Sequence, residues 1–219
     1  MLERYKTILV EAEAEIVEKK SRFIATIRPA KTEDEAKRFI DEMKKKYWNA
    51  THNVFAYQIG ERNELQRFSD DGEPQGTAGM PILNVLKGED IKNTVIVVTR
   101  FFGGTLLGTG GLVRAYGRAA KEGLLAAGIA ELVLYARYLI TAEYGDSGKV
   151  QYELLQEGHE IFDTLYTDKV QFDVLVDVSA IGAFEAKMKD IFRGETPYEK
   201  VDEVYGVQQD GKITLEKPQ

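Results

Sequence analysis

The sequence predicts an α+β protein of two domains, and three observations carry the prediction. Its 219 residues are enough for two small domains, each with its own core. The second half has the element pattern β-α-β-β-α-β, the split β-α-β arrangement of ferredoxin-like folds. Charge also differs along the chain: residues 1–130 carry 20 basic and 18 acidic side chains, and residues 131–219 carry 9 and 18. We therefore expect one domain at 1–130 and a ferredoxin-like domain at 131–219.

Alternating polarity predicts a β-hairpin at the start of the first domain. Apolar residues alternate with glutamates over 7–17, and the segment FIATI at 23–27 returns after the turn EKKSR. Thr32 and Glu35 have the spacing of a capping box, so we expect a helix to begin there. Its apolar stripe consists of Ala36, Phe39, Ile40, Met43 and Tyr47.

The rest of the first domain contains two further strands and a second helix. A strand at 52–60 precedes a stretch of about 20 residues that we interpret as a loop, long enough to suggest a function. The continuously apolar run TVIVVT at 94–99 predicts a central strand that is covered on both faces. A glycine-rich loop follows, and then a helix from about residue 112 to residue 127.

In the second domain, period-two alternation and glycine boundaries define the elements. We expect Ser179 to cap the second helix and Arg193-Gly194 to end it. The segment KITLE is interpreted as an edge hairpin. The predicted elements are strand 132–144, helix 145–158, strands 161–167 and 169–178, a helix after Ser179, strand 199–207 and the hairpin 212–216.

Composition excludes several classes of protein. The chain has no cysteine, so it has neither a disulfide framework nor a thiolate zinc site. His52 and His159 are its only histidines, too few for a histidine-rich metal centre. The acidic, alternating N-terminus is unlike a signal peptide, and no apolar run approaches the ~20 residues that span a bilayer. We expect a cytoplasmic protein without membrane contact.

Five glycines lie between Gly103 and Gly111, where a strand leads into a helix. Free amides at a helix N-terminus favour an anion, and residues 91–121 contain five cations and no acid. The alternatives are tight packing of the loop on the sheet and a merely solvated cationic helix face. The segment matches neither a Walker loop nor a dinucleotide fingerprint. The candidate nucleic-acid or anion-binding residues are Arg100, Gly103, Gly104, Thr105, Gly108, Thr109, Gly110, Gly111, Arg114, Arg118 and Lys121.

The segment RFSDDGEPQGTAGMPIL is a second unusual stretch, and it places Asp70, Asp71 and Glu73 close together in sequence. Three hypotheses stay open for it. The acidic residues belong to an ordinary turn, or they hold a magnesium ion. Alternatively, Asp70 or Glu73 pairs with Arg100 or Arg114 and orders the glycine-rich loop.

Further residues of the first domain are candidates for supporting roles. His52 opens a strand, where a histidine serves either as a hydrogen-bonded structural residue or as a catalyst. Ser21 and Arg22 lie where the first hairpin returns, a place that favours the surface. Phe101 and Phe102 follow the central strand, where exposed rings would stack on bases, although a phenylalanine in that place is more often part of the core.

The segments WNATHNVFAY, RFSDDGEPQGTAGMPIL and VVTRFFGGTLLGTGGLVRAYG closely resemble the YigZ/IMPACT family over residues 20–125, and the second half fits the C-terminal domain of its bacterial members. The resemblance implies an N-terminal β-α-β fold like that of the second domain of a small-subunit ribosomal protein. It also implies a C-terminal domain similar to the fifth domain of elongation factor G. Both folds are associated with translation, so the resemblance implies contact with RNA or the ribosome.

The resemblance brings no settled catalytic residues, and the kinase-regulating role of the eukaryotic members does not carry over. We therefore expect a translation-associated binding or regulatory protein that contacts RNA or ribosomal phosphate through the glycine-rich loop and the basic helix. One alternative is an enzyme for a small phosphorylated or nucleotide substrate, with magnesium on Asp70 or Glu73. Another is a protein–protein adaptor that docks a basic partner on the acidic second domain, where Asp173 and Asp177 are expected to be exposed.

Overall fold

The computed structural model describes residues 1–209 and 212–216 and has the mixed α and β composition that the sequence predicts. The chain forms two compact units. One comprises residues 5–130, and the other comprises residues 131–219 together with the first four residues. Within the described part of the chain, every helix is too short or too polar to cross a membrane.

The described residues contain eleven strands and five α-helices. The strands are β1 (Arg4–Thr7), β2 (Ala12–Glu18), β3 (Ser21–Pro29), β4 (His52–Ile59), β5 (Leu65–Ser69), β6 (Thr94–Phe101), β7 (Ala130–Ala142), β8 (Glu160–Tyr166), β9 (Val170–Asp177), β10 (Tyr198–Gln209) and β11 (Lys212–Leu215). The helices are α1 (Glu33–Lys46), α2 (Gly79–Gly88), α3 (Thr109–Ala127), α4 (Tyr144–Gln156) and α5 (Ile181–Ile191).

The first unit is a five-stranded antiparallel sheet with helices on both faces. Its strand order is β2-β3-β6-β4-β5, so β6 is the central strand, as predicted. Val95 and Val97 pack with α1 on one face, whereas Ile96 and Val98 pack with α2 and α3 on the other. Because both faces of β6 are covered, its sequence is continuously apolar rather than alternating.

Local signals place α1 and the first hairpin correctly, apart from one break. Thr32 and Glu35 form the predicted capping box. β2 and β3 pair as the predicted antiparallel hairpin. The alternating stretch 7–17 is not one strand, however, because β1 ends at Thr7, β2 begins at Ala12, and residues 8–11 belong to neither strand. Val10 is consequently 57% exposed.

The loop of about 20 residues that was predicted after residue 60 is wrong, because the edge strand β5 occupies Leu65–Ser69 and helix α2 begins at Gly79. No local sequence signal begins α2: its N-cap is Ala78, which makes no side-chain capping bond. The acceptor is distant in sequence, since Asp70 Oδ1 accepts hydrogen bonds from the amides of Ala78 and Gly79. Pro81 is tolerated in the first turn because amides there lack partners within the helix.

Helix α3 begins at Thr109, three residues earlier than its predicted start at Leu112. The glycines of its first turn have low helix propensity, which obscured the start in the sequence. Its two faces are divided as the pattern predicts: Leu112 and Tyr116 are buried, whereas Arg114 and Arg118 are exposed.

The second unit has the predicted β-α-β-β-α-β order. Its sheet order is β11-β10-β7-β9-β8, and β11 extends the edge strand β10 as a hairpin. Helices α4 and α5 contribute Val150, Leu154, Phe184 and Met188 to one shared core. The strand order β10-β7-β9-β8 is that of a ferredoxin-like fold.

Two predictions within this unit are wrong. Ser179 does not cap α5: Asp177 accepts hydrogen bonds from the Ser179 amide and hydroxyl, and a 3₁₀ turn precedes the helix. Asp173 and Asp177 are also not a free acidic pair. Asp173 is 6% exposed and pairs with Arg137 of the neighbouring strand, and Asp177 pairs with Arg4 at 2.6 Å. Each carboxylate therefore has a cation within the fold.

Candidate functional site

The start of β3, the start of β4 and the end of β6 lie side by side at one end of the first sheet and bring together residues that are distant in sequence. In the antiparallel register, His52 at the start of β4 lies opposite Arg100 near the end of β6. Arg22 near the start of β3 lies opposite Phe101. Ser21, His52 and Arg100 therefore lie at the same end of the sheet, and the acidic loop between β5 and α2 contributes Asp71 and Glu73 there.

A buried ion pair lies at the centre of the site. The Arg100 guanidinium donates to Glu73 Oε1 at 2.6 Å, which is one of the pairings the sequence left open. The Tyr116 hydroxyl donates to the same oxygen at 2.7 Å. Burial raises the pKa of the Tyr116 phenol, and the hydrogen bond to Glu73 raises it further, so the phenol remains a donor.

His52 is oriented by the acidic loop. Its Nδ1 lies 2.7 Å from the carbonyl oxygen of Asp71. Since a carbonyl only accepts, Nδ1 carries the proton, and Nε2 is directed towards Glu73 Oε1 at 3.8 Å. The Asp71 carboxylate in turn accepts from the amide of Asn53 at 2.6 Å, which holds the loop against β4.

The three acidic side chains of the loop have separate structural roles. Asp70 accepts hydrogen bonds from the amides of Gly76, Ala78 and Gly79, whereas Asp71 and Glu73 bind the partners described above. Among the described residues, no group of three potential ligands is arranged to hold a metal ion. Because Mg²⁺ is commonly held by one or two carboxylates together with water, the magnesium hypothesis stays a prediction.

We expect Asp70→Ala to lower the free energy of unfolding of α2 by about 2 kcal/mol, because three amides lose a charged acceptor. Amide hydrogen exchange in α2 measures this change. Asp41→Ala, which removes an exposed carboxylate from α1, is the matched control and should have little effect. Equal protection of α2 in the two variants would contradict the capping role.

The glycines of the loop are needed for different structural reasons. A Cβ atom on Gly103 would lie 2.0 Å from the carbonyl carbon of Lys20, so the hairpin turn itself excludes any larger residue. The Gly103 amide donates to Ser21 Oγ at 3.2 Å, and Ser21 is fully buried, contrary to the surface position predicted for it. Gly104 and Gly108 instead have φ values of +83° and +73° with open space around them.

The beginning of α3 is open to solvent. Gly104, Thr105, Thr109 and Gly110 are exposed, and no side chain caps the helix. The amides of its first turn have no partner within the helix, because the first intrahelical bond runs from Leu112 to Gly108. These amides and the helix dipole together favour an anion.

A cavity of about 440 Å³ lies beside the start of α3, and we call it the α3 cavity. Its walls are mainly apolar, and its polar lining residues include His52, Glu73 and Arg100. The Nε atom of Arg100 is buried without a hydrogen-bond partner. The cavity is lined by Thr51, His52, Glu73, Pro74, Arg100, Phe102, Leu106, Leu107, Gly108, Thr109 and Leu112.

The exposed face of α3 is cationic, and we call Arg114, Arg118 and Lys121 the basic face of α3. None of the three forms an ion pair with any residue the structure describes. Arg114 and Arg118 line a smaller depression of about 250 Å³ together with Glu18 and Lys19. Leu107 lines both this depression and the α3 cavity, so the two adjoin.

Two other predicted candidates are Arg22 and Phe102. Arg22 is exposed, pairs with Glu15 at 2.8 Å and lies over the ring of Phe101. Phe102 is 47% exposed at the cavity, as base stacking requires.

Sequence reasoning missed the Tyr116 hydroxyl and the burial of Ser21. The hydrogen bond of Tyr116 could have been expected, because its position on the core side of α3 buries the hydroxyl, and a buried hydroxyl needs a partner.

Comparison with known proteins gives consistent matches for both units. The model of the Impact N-terminal domain matches residues 19–124, and the domain of unknown function DUF1949 matches residues 140–195. IMPACT family member YvyE of Bacillus subtilis (strain 168) is 42% identical over 205 residues, 94% of each chain. IMPACT family member YigZ of Escherichia coli (strain K12) is 33% identical over 187 residues, 84% of this chain and 92% of that one. A crystal structure described as that of a hypothetical protein is 30% identical, covers 92% of this chain and 99% of its own, and has a TM-score of 0.59.

Proposed function

Because the chain belongs to the IMPACT family, we propose that it is a cytoplasmic, translation-associated protein that binds RNA through the start and the basic face of α3. The link to translation is supported by the resemblance of both domains to folds of translation proteins. The RNA contact is supported by the electrostatics of α3. The two parts of the proposal therefore have separate grounds.

The observation that carries the RNA contact is a row of cations without acidic partners. Elsewhere in this unit, Arg22 pairs with Glu15, and Arg28 pairs with Glu11 and Glu42. Three other arginines are exposed without an ion pair to any described residue, but they lie on separate elements: Arg38 on α1, Arg62 in the loop after β4 and Arg67 on β5. The chain carries a net charge of −7, yet its α3 helix carries unpaired positive charge beside uncapped amides. This concentration of positive charge on one helix suits a polyanion such as the RNA backbone.

Salt dependence tests the proposal. Fluorescence anisotropy with a labelled single-stranded RNA should give an affinity that falls linearly with salt on logarithmic axes. The double variant Arg114→Ala, Arg118→Ala should reduce the slope by about 1.4, because each phosphate contact on a single strand contributes about 0.7.

Arg38→Ala is the matched control, because Arg38 is exposed on α1, which packs on the other face of the sheet. Its slope should equal that of the unmodified protein. Absence of binding at low salt, or an unchanged slope in the double variant, would contradict the proposed function. Cosedimentation with ribosomes over the same salt series distinguishes free RNA from RNA held in the ribosome.

A further inference from the structure

We propose that the first unit binds single-stranded RNA in preference to duplex RNA, with unpaired bases stacked on Trp48 and Phe102. This preference rests on the proposed function and specifies which kind of RNA the unit takes and which residues contact the bases. It depends on a surface at one end of the first sheet, which we call the sheet-end surface. The residues of this surface are Lys19, Lys20, Trp48, Phe102, Arg114 and Arg118.

Trp48 is the only tryptophan of the chain and lies in the turn between α1 and β4. Its side chain is 81% exposed, more than any other aromatic side chain that the structure describes. Within the described residues, its ring has no hydrogen bond and no ring contact. An apolar side chain that stays in water adds little to folding. A single exposed apolar residue is common on protein surfaces, so the neighbours of Trp48 decide its meaning.

Phe102 lies at the same end of the sheet as Trp48. In sequence, Trp48 stands between Tyr47 and Thr51, and both of these residues contact the end of β6. The ring centroids of Tyr47 and Phe101 are 6.3 Å apart. The Phe102 amide donates to Thr51 Oγ1 at 3.1 Å, and the ring of Phe102 is 47% exposed. Two exposed aromatic rings therefore lie close to each other, as they do on surfaces that stack unpaired bases.

The turn between β2 and β3 brings two lysines next to these rings. A Cβ atom on Gly103, the neighbour of Phe102, would lie 2.0 Å from the carbonyl carbon of Lys20, so the turn and the loop are in contact. Lys19 lines a depression together with two arginines of the basic face of α3, and Glu18 is the one acid among its lining residues. Printed contacts thus connect the aromatic and the cationic residues along one surface.

This turn does not contain the residues that its backbone favours. Glu18 pairs with Ser21, so two residues connect the strands, and Lys19 and Lys20 have φ values of 44° and 67°. Positive φ at both positions defines a type I′ turn, which favours asparagine and glycine. Both lysines are exposed, and neither forms an ion pair with a residue that the structure describes. A broken local rule is typical of functional positions, and here it supplies two free positive charges beside the rings.

Exposed rings and free cations together favour a single strand. The phosphates of a single strand pair with the cations, while its bases stack on the aromatic side chains. In an RNA duplex the bases are paired and stacked on one another, so their faces are not accessible to protein rings. The sheet-end surface should therefore contact a duplex through phosphates alone.

The fluorescence of Trp48 tests the stacking directly, because the chain has no other tryptophan. The ligands are an RNA strand of about 12 nucleotides, a length typical of single-strand sites, and the blunt duplex that contains the same strand. The single strand should quench the fluorescence. At the same salt concentration, anisotropy should show that the single strand binds at least about tenfold more tightly than the duplex.

Substitutions of the two rings separate stacking from charge. Trp48→Ala and Phe102→Ala should each weaken the binding of the single strand about tenfold. Neither should change the salt slope or the affinity for the duplex, because stacking releases no counterions. Trp48→Phe retains a ring and should keep most of the affinity. Leu125→Ala is the matched control, since Leu125 is 73% exposed and lies about 24 Å along α3 from its start, and it should bind normally.

The lysine turn offers a variant that should not disturb the fold. Lys19→Asn combined with Lys20→Gly removes two charges and introduces the pair that a type I′ turn favours. Thermal denaturation should show equal or greater stability. The salt slope for the single strand should fall by about 1.4, because each phosphate contact contributes about 0.7.

The outcomes distinguish this preference from the proposed function. Equal affinity for the single strand and the duplex, or unchanged binding by Trp48→Ala, overturns the preference; the proposed function then stands if the salt slope still depends on Arg114 and Arg118. If Trp48→Ala weakens binding while the slope is independent of both arginines, the stacking stands and the contact proposed for α3 fails. Absence of binding to either RNA overturns both.

Discussion

Glu73→Ala should lower the free energy of unfolding of the first unit by about 3–5 kcal/mol, because it leaves the Arg100 guanidinium charged and unpaired in a buried site. Glu73 and Arg100 are 8% and 5% exposed, so water cannot replace the lost carboxylate readily. The Tyr116 hydroxyl, which is fully buried, loses its acceptor in the same variant. Amide hydrogen exchange of β6, the central strand of this unit, measures the change.

Two further variants make this prediction specific to the buried pair. The exposed pair of Glu15 and Arg22 is the control, and Glu15→Ala should leave the exchange of β6 almost unchanged. The double variant Glu73→Ala, Arg100→Leu removes both charges and should recover part of the lost stability, because no unpaired charge remains. Equal exchange in Glu73→Ala and Glu15→Ala would contradict the importance of the ion pair.

Gly103→Ala should lower the free energy of unfolding by about 2–3 kcal/mol, because the added methyl group collides with the backbone. The new Cβ atom would lie 2.0 Å from the carbonyl carbon of Lys20 and 2.4 Å from the amide nitrogen of Ser21. Neither atom moves without distorting the turn between β2 and β3. Lys19 and Lys20 already have positive φ values of 44° and 67° in that turn.

A glycine-to-alanine substitution within α3 should have the opposite effect on the free energy of unfolding. Gly117 has no atom within 4 Å of the position of its Cβ and lies inside a helix. Gly117→Ala should therefore raise stability by about 0.5–1 kcal/mol through helix propensity. Amide exchange of β6 in both variants measures the contrast, and a change of the same sign in both would contradict the close approach at Gly103.

Much of the secondary structure follows from local patterns that the structure confirms. The capping box of Thr32 and Glu35, the apolar run of β6 and the strand order of the second unit are examples. Helix α2 could not be predicted in this way, because the acceptor for its first amides is Asp70, eight and nine residues upstream. A helix without a local start signal and with a proline in its first turn resembles a loop in sequence.

The sequence by itself determined the family, the order of the ferredoxin-like unit, the cationic side of α3 and the presence of an unusual glycine-rich segment. Only the tertiary structure decided which glycine is required by close packing, whether Ser21 is buried, and which carboxylate pairs with Arg100. The reason is the distance along the sequence between the residues that interact. Helix and strand periods repeat within a few residues, whereas Glu73 meets Arg100 and Tyr116 across 27 and 43 residues. The register of β3, β4 and β6 brings such partners together, and no local pattern specifies it.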